Sequence, residues 1–110
     1  MSLSLFAAST LDLADELGAR AVNLYLPIGG STVTTGAGND YIIAGDENDA
    51  INGGDGDDTI NGGTITNGDA GNDHIINYEA VVAMDGGADD DRMWVASGQT
   101  GTVDGGTGID

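Results

Sequence analysis

Glycine, aspartate and one aliphatic residue recur along the chain with a period of nine. From Thr35 the sequence reads Thr-Gly-Ala-Gly-Asn-Asp-Tyr-Ile-Ile, then Ala-Gly-Asp-Glu-Asn-Asp-Ala-Ile-Asn, then Gly-Gly-Asp-Gly-Asp-Asp-Thr-Ile-Asn, with no residue inserted or lost. The sixth place is always aspartate and the eighth is always isoleucine. A fixed period this short is typical of a solenoid, in which each repeat forms one turn and one strand and stacked coils share a core.

The last three places of each repeat predict a short strand whose middle side chain points inward while its neighbours point outward. This pattern places Ile42, Ile51 and Ile60 in the core. When the repeats are followed towards both ends of the chain, Val33 and Met84 also fall in the core position. Before the regular repeats, alternation predicts strands over 10–13 and 21–26, joined by a short helical or loop segment. We therefore divide the chain into an N-terminal strand and capping segment with degenerate repeats, 1–34, and a repeat domain, 35–110.

The first five places are rich in glycine because the chain must reverse there using positive φ angles, where a β-carbon would clash. Such a turn directs backbone carbonyls inward, and the aspartate that follows adds a carboxylate to the same concave space. Oxygen donors of this kind suit Ca²⁺, which accepts six to eight of them in loose geometry. Each repeat is therefore predicted to supply half of a metal site and one core residue.

The pattern Gly-Gly-x-Gly-x-Asp-x-Ile-x resembles the nonapeptide of the RTX (repeats-in-toxin) calcium-binding β-rolls, a family of secreted bacterial toxins, enzymes, adhesins and surface-layer proteins. The resemblance is strong over 35–76, recurs at 86–95 and 105–110, and is faint before residue 26. It implies an all-β fold, a right-handed parallel β-roll (β-solenoid) with stacked short strands and calcium-binding turns rich in glycine and aspartate. It also implies that two repeats make one coil and that each Ca²⁺ lies between turns on the same side of consecutive coils.

The candidate calcium ligands are the sixth-place aspartates and the residues of the turns before them. The candidate aspartates at or aligned with the sixth place are Asp40, Asp49, Asp58, Asp73, Asp91 and Asp110. The candidate turn residues are Gly36, Gly38, Gly45, Gly53, Gly56, Asp57, Gly71, Gly86, Asp89 and Gly105. Glu47 and Asp89 stand where glycine is expected, so each is either a strained turn or an additional carboxylate.

The spacing of the aspartates predicts how the calcium sites are distributed. Asp58 and Asp73 are fifteen residues apart, which we interpret as one repeat plus a six-residue loop within 62–67. Since successive repeats alternate between two sides of a roll, one side is predicted to carry Asp40, Asp58, Val82 and Thr100. The other is predicted to carry Asp49, Asp73, Asp91 and Asp110. We expect a nearly continuous row of sites on the second side and one site, between Asp40 and Asp58, on the first.

Charge and composition narrow the function further. Nineteen acidic residues against two basic ones give a formal charge of −17, which would suit a disordered acidic chain if the carboxylates did not recur at a fixed phase with glycine. Nucleic acid is an unsuitable partner because phosphate contacts need lysine and arginine. No apolar run approaches the length of a membrane span, and the absence of cysteine excludes disulfides.

An enzyme is not expected. The single histidine, His74, falls in an outward place of a strand, where a solvated side chain is the simpler interpretation than a catalytic base. The chain has no cysteine and no Gly-x-Ser-x-Gly motif to provide a nucleophile. Asp55, Asp57 and Asp58 beside Gly56 resemble part of an EF-hand loop, but no glutamate closes that loop.

The expected function is structural. Without calcium the carboxylates repel and the core is thin, so folding should depend on Ca²⁺. A solenoid without evident capping repeats leaves open strand edges, so one interpretation is an extracellular subunit that stacks head to tail with copies of itself into a fibre. The alternative is a folding and secretion module of a larger secreted enzyme, toxin or adhesin. A cell-surface or matrix polysaccharide is a further partner to consider.

Overall fold

The computed structural model describes residues 2–4, 10–12, 21–26, 30, 32–44, 49–77, 83–95 and 101–108. Short strands account for most of these residues, and the described part of the chain contains no helix, so none that could span a membrane. The strands are β1 (Ser2–Ser4), β2 (Thr10–Asp12), β3 (Asn23–Leu26), β4 (Thr32–Ala37), β5 (Tyr41–Ala44), β6 (Ala50–Asp55), β7 (Thr59–Asn61), β8 (Ile65–Ala70), β9 (His74–Asn77), β10 (Ala83–Asp85), β11 (Arg92–Val95) and β12 (Thr102–Asp104).

The strands alternate between two parallel sheets. The odd-numbered strands form one six-stranded sheet in the order β1-β3-β5-β7-β9-β11, and the even-numbered strands form the other in the order β12-β10-β8-β6-β4-β2. Two consecutive strands therefore complete one coil before the chain returns to the first sheet. This arrangement confirms the prediction of an all-β parallel β-roll.

The core consists of the inward-facing residues of both sheets. In the odd-numbered sheet Leu24, Ile42, Ile60 and Ile75 are paired in register and are at most 1 % exposed. In the even-numbered sheet the same column contains Val33, Ile51, Thr66 and Met84, which are at most 3 % exposed. The five predicted core residues are thus confirmed, and the buried threonine was not anticipated.

The N-terminal strands extend the same two sheets. β2 and β3 lie within the predicted strands at 10–13 and 21–26, and they pair with β4 and β5. β4 crosses the boundary predicted between residues 34 and 35. The division of the chain into two domains stays a prediction.

The coil between Asp58 and Asp73 is shorter than its neighbours. β8 begins at Ile65, so only residues 62–64 connect it to β7, whereas residues 45–49 connect β5 to β6. Gly62 and Gly63 make this short connection at φ angles of 99° and 89°. The predicted six-residue loop within 62–67 is therefore wrong: the fifteen-residue spacing is two repeats that lack three residues, not one repeat with an insertion.

Two buried polar side chains form hydrogen bonds with the backbone carbonyls of this short connection. Thr66 donates its hydroxyl to the Gly62 carbonyl at 3.2 Å, and the Asn77 side-chain amide donates to the Gly63 carbonyl. On the coil before, the Asp49 carbonyl accepts the backbone N–H groups of Thr64 and Ile65 at 2.9 and 3.2 Å. Because a buried carbonyl without a partner is costly, these bonds explain two polar residues at otherwise apolar positions.

Two neighbouring isoleucines of β5 provide a matched test of the core. Ile42 is fully buried and Ile43 is half-buried on the outer face. We expect Ile42→Ala to lower the free energy of unfolding by about 3 kcal/mol, the cost of a core cavity, and Ile43→Ala by less than about 1 kcal/mol. Guanidinium unfolding in calcium-containing buffer measures both, and equal losses would contradict the inward assignment of Ile42.

Candidate metal centre

Four aspartates lie in one column along one side of the roll, which we call the aspartate side. Each directly precedes an odd-numbered strand, at the end of a six-residue turn segment. Their exposed fractions are between 1 and 4 %. The four aspartates are Asp40, Asp58, Asp73 and Asp91, and the turn segments that they end are residues 35–40, 53–58, 68–73 and 86–91.

This column corrects the predicted distribution of the sites. Asp73 and Asp91 lie on the side of Asp40 and Asp58, not on the side of Asp49. Asp49 precedes β6 on the opposite side, where the pairing of Ala50 with Ile65 aligns it with Thr64. The error follows from the fifteen-residue spacing, since a coil that lacks three residues returns the chain to the same side. Asp110 lies outside the described residues.

One oxygen of each aspartate bonds to the coil before it. The Oδ1 atoms of Asp58, Asp73 and Asp91 accept the backbone N–H of the preceding aspartate in the column, at 2.8, 2.8 and 2.9 Å. Asp40 accepts the N–H of Val22 in the same way, at 2.8 Å. The column is therefore continuous over four coils, and each bond fixes the register of one coil on the next.

The second oxygen has a different environment. The Oδ2 atoms of Asp40, Asp58 and Asp73 are buried and accept no hydrogen bond from any residue that the structure describes. A buried carboxylate oxygen without a donor is strongly unfavourable unless a cation or a proton compensates it. These atoms are the observation that a bound metal would explain.

Two of these oxygens pack directly against the α-carbon of a glycine. A β-carbon on Gly53 would collide with Asp58 Oδ2 and would lie 3.2 Å from the Gly68 carbonyl oxygen, and one on Gly68 would collide with Asp73 Oδ2 and lie 2.5 Å from the Gly86 carbonyl oxygen. We call each such place a cradle: there the carboxylate of one turn segment and the first carbonyl of the next approach the same glycine. A third, at Gly86, adjoins the Asp91 carboxylate.

The donor set of these cradles fits calcium. Among the described residues no three acidic or histidine side chains converge on one point. Backbone carbonyls must therefore supply most of the oxygens, together with one or two carboxylates, which is a donor set that Ca²⁺ accepts readily. Asp58 with the Gly68 carbonyl, and Asp73 with the Gly86 carbonyl, are the groups that would hold an ion.

The remaining predicted turn residues lie in or beside these segments. Gly36, Gly38, Gly56 and Gly71 adopt φ angles from 116° to 148°, and Asp89, with φ of 83°, takes the place that glycine fills in the other turns. Asp89 is exposed, which supports the strained-turn alternative over the additional carboxylate. Gly105 follows β12 at the start of the next turn. Gly45 and Glu47 lie outside the described residues.

A second polar column was not predicted from the sequence, apart from Asp57. The side-chain Oδ1 atoms of Asn39, Asp57 and Asn72 each accept a backbone N–H from the coil that follows, at 2.9 Å. These residues are exposed, and they occupy the fifth place of the repeat. The signal was present, because the fifth place holds asparagine or aspartate in every regular repeat.

Burial and mutual repulsion alter the acidity of the buried column when no metal is bound. Desolvation raises the pKa of Asp58 to about 8, with repulsion from Asp40, Asp73 and Asp57 adding to it and the hydrogen bond from the Asp40 N–H opposing it. Desolvation likewise raises the pKa of Asp73 to about 6, with repulsion from Asp91. Without a cation, the folded roll therefore favours protonated carboxyls.

His74 directly follows Asp73 of this column, and the two residues line one surface cavity together with Asp91 and Arg92. The histidine is in β9, in register with Thr59 and Arg92 on the neighbouring strands, while the buried Ile75 beside it faces the core. Its half-buried outer position agrees with the outward place predicted for it. The expectation that the chain is not an enzyme stays a prediction.

Comparison with known proteins identifies the repeats. A family model described as the RTX calcium-binding nonapeptide repeat, in four copies, matches residues 32–64. This segment contains the sixth-place aspartates Asp40, Asp49 and Asp58, and the match confirms the resemblance drawn from the sequence. RTX nonapeptide repeats bind Ca²⁺. Neither a curated protein nor a solved structure shows a significant match to the chain.

The raised pKa values predict that acid stabilises the metal-free roll. Asp58 and Asp73 have an ordinary value of 3.8, so their contribution to stability is fully present below about pH 4 and is lost as pH rises through about 6 and 8. We expect the β-sheet circular dichroism signal of the chelated chain to increase as pH falls from 8 towards 4. The Asp58→Asn, Asp73→Asn double variant, whose amides stay neutral, should show a weaker dependence. A metal-free chain that is more structured at pH 8 than at pH 5 would contradict this assignment.

Proposed function

We propose that the RTX calcium-binding repeats of this chain couple calcium binding to folding, in a structural module that acts outside the cell. The observation that carries the proposal is the column of buried carboxylates, in which the Oδ2 atoms of Asp58 and Asp73 have no hydrogen-bond donor among the described residues. A folded roll with these groups ionised and uncompensated is unfavourable.

When bound, calcium supplies positive charge to the carboxylates and a coordination partner for the carbonyls beside them. The chain's own groups set the register for this. Oδ1 of each aspartate is already held by a backbone N–H of the neighbouring coil, which leaves Oδ2 directed to the cradle. Since the two sides of a cradle come from consecutive coils, a site is complete only when those coils are stacked.

The hydrophobic core is too small to make folding independent of this compensation. No strand whose side chains are described contributes more than one buried apolar residue, and the described part of the chain has eight buried apolar residues. A core of this size offsets little of the conformational entropy of the residues that the structure describes. Metal binding free energy then becomes part of the folding free energy, as in other small metal-dependent domains.

An extracellular location is supported by the typical setting of RTX repeat proteins, which are secreted. It is also supported by physical chemistry, because weak extracellular calcium modules have dissociation constants of about 10⁻⁴ to 10⁻³ M. A chain that folds only at such calcium levels would stay unfolded in a calcium-poor compartment and fold after export.

If calcium binding is coupled to folding, removing one charge from the buried column should strongly reduce the rise in Tm that calcium causes. Asp73→Asn should reduce the calcium-induced rise in Tm by on the order of 10 °C, the effect of losing one well-saturated site. Asp55→Asn removes the same charge from an exposed side chain of a neighbouring turn and should leave the rise unchanged. Thermal unfolding followed by circular dichroism, with calcium and with chelator, measures both. If the wild-type protein keeps its fold and Tm after exhaustive chelation, the proposal is wrong.

The end of the roll at β11 and β12 favours end-to-end stacking. Val103 of β12 continues the core column after Met84, yet it is 48 % exposed because no further described strand covers it. β11 and β12 each pair with one neighbour only among the described strands. We propose that another coil covers this end, and that in an assembly this coil is β1 and β2 of a second copy, which would extend both parallel sheets.

Two exposed apolar residues of the even-numbered sheet test this contact. Val103 and Ile65 are 48 and 49 % exposed, but Ile65 lies in β8, within the sheet and away from its edges. We expect Val103→Asp to abolish calcium-dependent assembly in sedimentation velocity and Ile65→Asp to leave it intact. Loss of assembly in Ile65→Asp alone would indicate a lateral contact instead. A wild-type chain that stays monomeric at high calcium and high concentration would leave the alternative, a module of a larger secreted protein.

A further inference from the structure

The outer face of the odd-numbered sheet has two columns of side chains, one on each side of the buried core column. The pairing of β3, β5, β7, β9 and β11 places five residues of the first column in register: Asn23, Tyr41, Thr59, His74 and Arg92. All five are exposed or half-buried. This face is therefore open over five consecutive strands.

The second column of the same face is aromatic at both ends. Its five residues in register are Tyr25, Ile43, Asn61, Ile76 and Trp94. Tyr25 and Trp94 are 48 and 49 % exposed, and Tyr41 of the first column is 44 % exposed. These three are the exposed aromatic side chains of the part of the chain that the structure describes. We call this surface the aromatic face.

The aromatic face contains no acidic residue, although the chain has nineteen. It includes Arg92, the one lysine or arginine among the described residues, and His74. The outer face of the even-numbered sheet differs, because it carries Asp85 and Asp104 and has no aromatic residue on the strands whose side chains are described. Exposed aromatic and apolar side chains that gather on one face indicate an interaction surface.

The size of the aromatic face argues against a second copy of the chain as its occupant. Five strands about 4.8 Å apart, each about 13 Å long over four residues, give an area of about 300 Å². A stable protein–protein interface buries about 800 Å² on each partner. A narrow linear ligand that lies across the strands needs no larger surface than this.

The side chains of the aromatic face fit a carbohydrate chain. Aromatic rings pack against the C–H faces of pyranose rings, and amide and hydroxyl groups between them pair with sugar hydroxyls. Tyr25 and Trp94 lie four strand spacings apart, or about 19 Å. One pyranose unit of an extended chain is close to one strand spacing in length. Such a chain would therefore meet an aromatic ring at each end and the Asn61 amide between them.

At the Trp94 end the aromatic face deepens into a surface cavity of about 310 Å³. It is lined by His74, Ile76, Arg92, Met93 and Trp94. This volume lies at the lower end of the range for small-ligand pockets, about 300 to 1,000 Å³, and accommodates a single sugar unit. The Arg92 guanidinium supplies hydrogen-bond donors beside the Trp94 ring in the same cavity.

The charge around the aromatic face selects an uncharged ligand. Asp73 and Asp91 line a cavity together with His74 and Arg92, so carboxylates border the one described arginine. The chain as a whole has a formal charge of −17. This field repels a polyanion and does not repel neutral sugar hydroxyls.

We propose that the aromatic face binds an extended, uncharged polysaccharide chain that runs across the strands from Tyr25 to Trp94. This binding is an activity beyond calcium-coupled folding. Calcium takes part only by folding the roll, because the aromatic face and the buried aspartate column consist of different side chains. Mutation can therefore separate the two properties.

Trp94 is the single tryptophan of the chain, so its fluorescence reports directly on the aromatic face. In calcium-containing buffer, titration with hydroxyethylcellulose or galactomannan should shift its emission to shorter wavelength and reach saturation. Carboxymethylcellulose, which adds carboxylates to the same backbone as hydroxyethylcellulose, should bind more weakly at low salt. The absence of a shift with both neutral polymers, or tighter binding of carboxymethylcellulose, would overturn the proposal. A shift that depends on protein concentration alone would assign the face to a second copy instead.

Variants locate the binding on the roll. In native gels that contain hydroxyethylcellulose, Trp94→Ala should weaken binding by about tenfold, whereas Trp94→Phe keeps a ring and should retain most of it. Ile65→Ala removes an equally exposed apolar side chain from the other sheet and should bind like wild type. Unchanged retardation of Trp94→Ala would contradict the proposal. Circular dichroism of the same samples shows whether the wild-type chain folds with calcium, so a failure of the proposed function is distinguishable from a failure to bind polysaccharide.

Discussion

The roll depends on one interaction, the hydrogen bond from a backbone N–H to the carboxylate of the aspartate one coil further along. It recurs from Val22 to Asp91 with lengths of 2.8 to 2.9 Å, and it fixes each coil on the next. Because the aspartate directly precedes a strand, this bond draws the whole carboxylate into the interior. The stacking contact therefore buries the second carboxylate oxygen as well, and a bound cation or a proton would compensate its charge.

The exposed column at the fifth place shows that polar stacking alone does not require a metal. Asn39, Asp57 and Asn72 bond consecutive coils through the same kind of contact, in the opposite direction, but their side chains remain in water. Neighbouring strands are about 4.8 Å apart, so adjacent ionised carboxylates at an effective dielectric constant of about 20 repel by about 3 kcal/mol. Solvent screens this repulsion at the surface and does not do so in the buried column. Burial and charge together distinguish the two columns, because Asp57 is flanked by two neutral asparagines, whereas the buried column that we propose to bind metal has four consecutive aspartates.

The period of nine was sufficient to predict the parallel roll, the turns and core residues such as Ile42 and Ile60, because each follows from the local chemistry of one repeat. It was not sufficient to place Asp73. The spacing of fifteen fits either an insertion or a deletion, and only the pairing of β7 with β9 decides between them. Thr66 and Asn77 were missed for a related reason: they are buried to satisfy the Gly62 and Gly63 carbonyls, and this need arises only once the short connection is formed. The cradles combine groups from consecutive coils, so their geometry could not be derived from a single repeat.

The turn segments contain glycine for two different physical reasons, which explains their different tolerance of other residues. At the second and fourth places φ is positive, and Asp69 and Asp89 adopt values of 79° and 83° there at a local conformational cost. At the first place φ imposes no such limit, and the constraint is the space beside the buried carboxylate. Substitution at the second or fourth place changes the strain of one turn, whereas substitution at the first place changes the packing around the buried carboxylate.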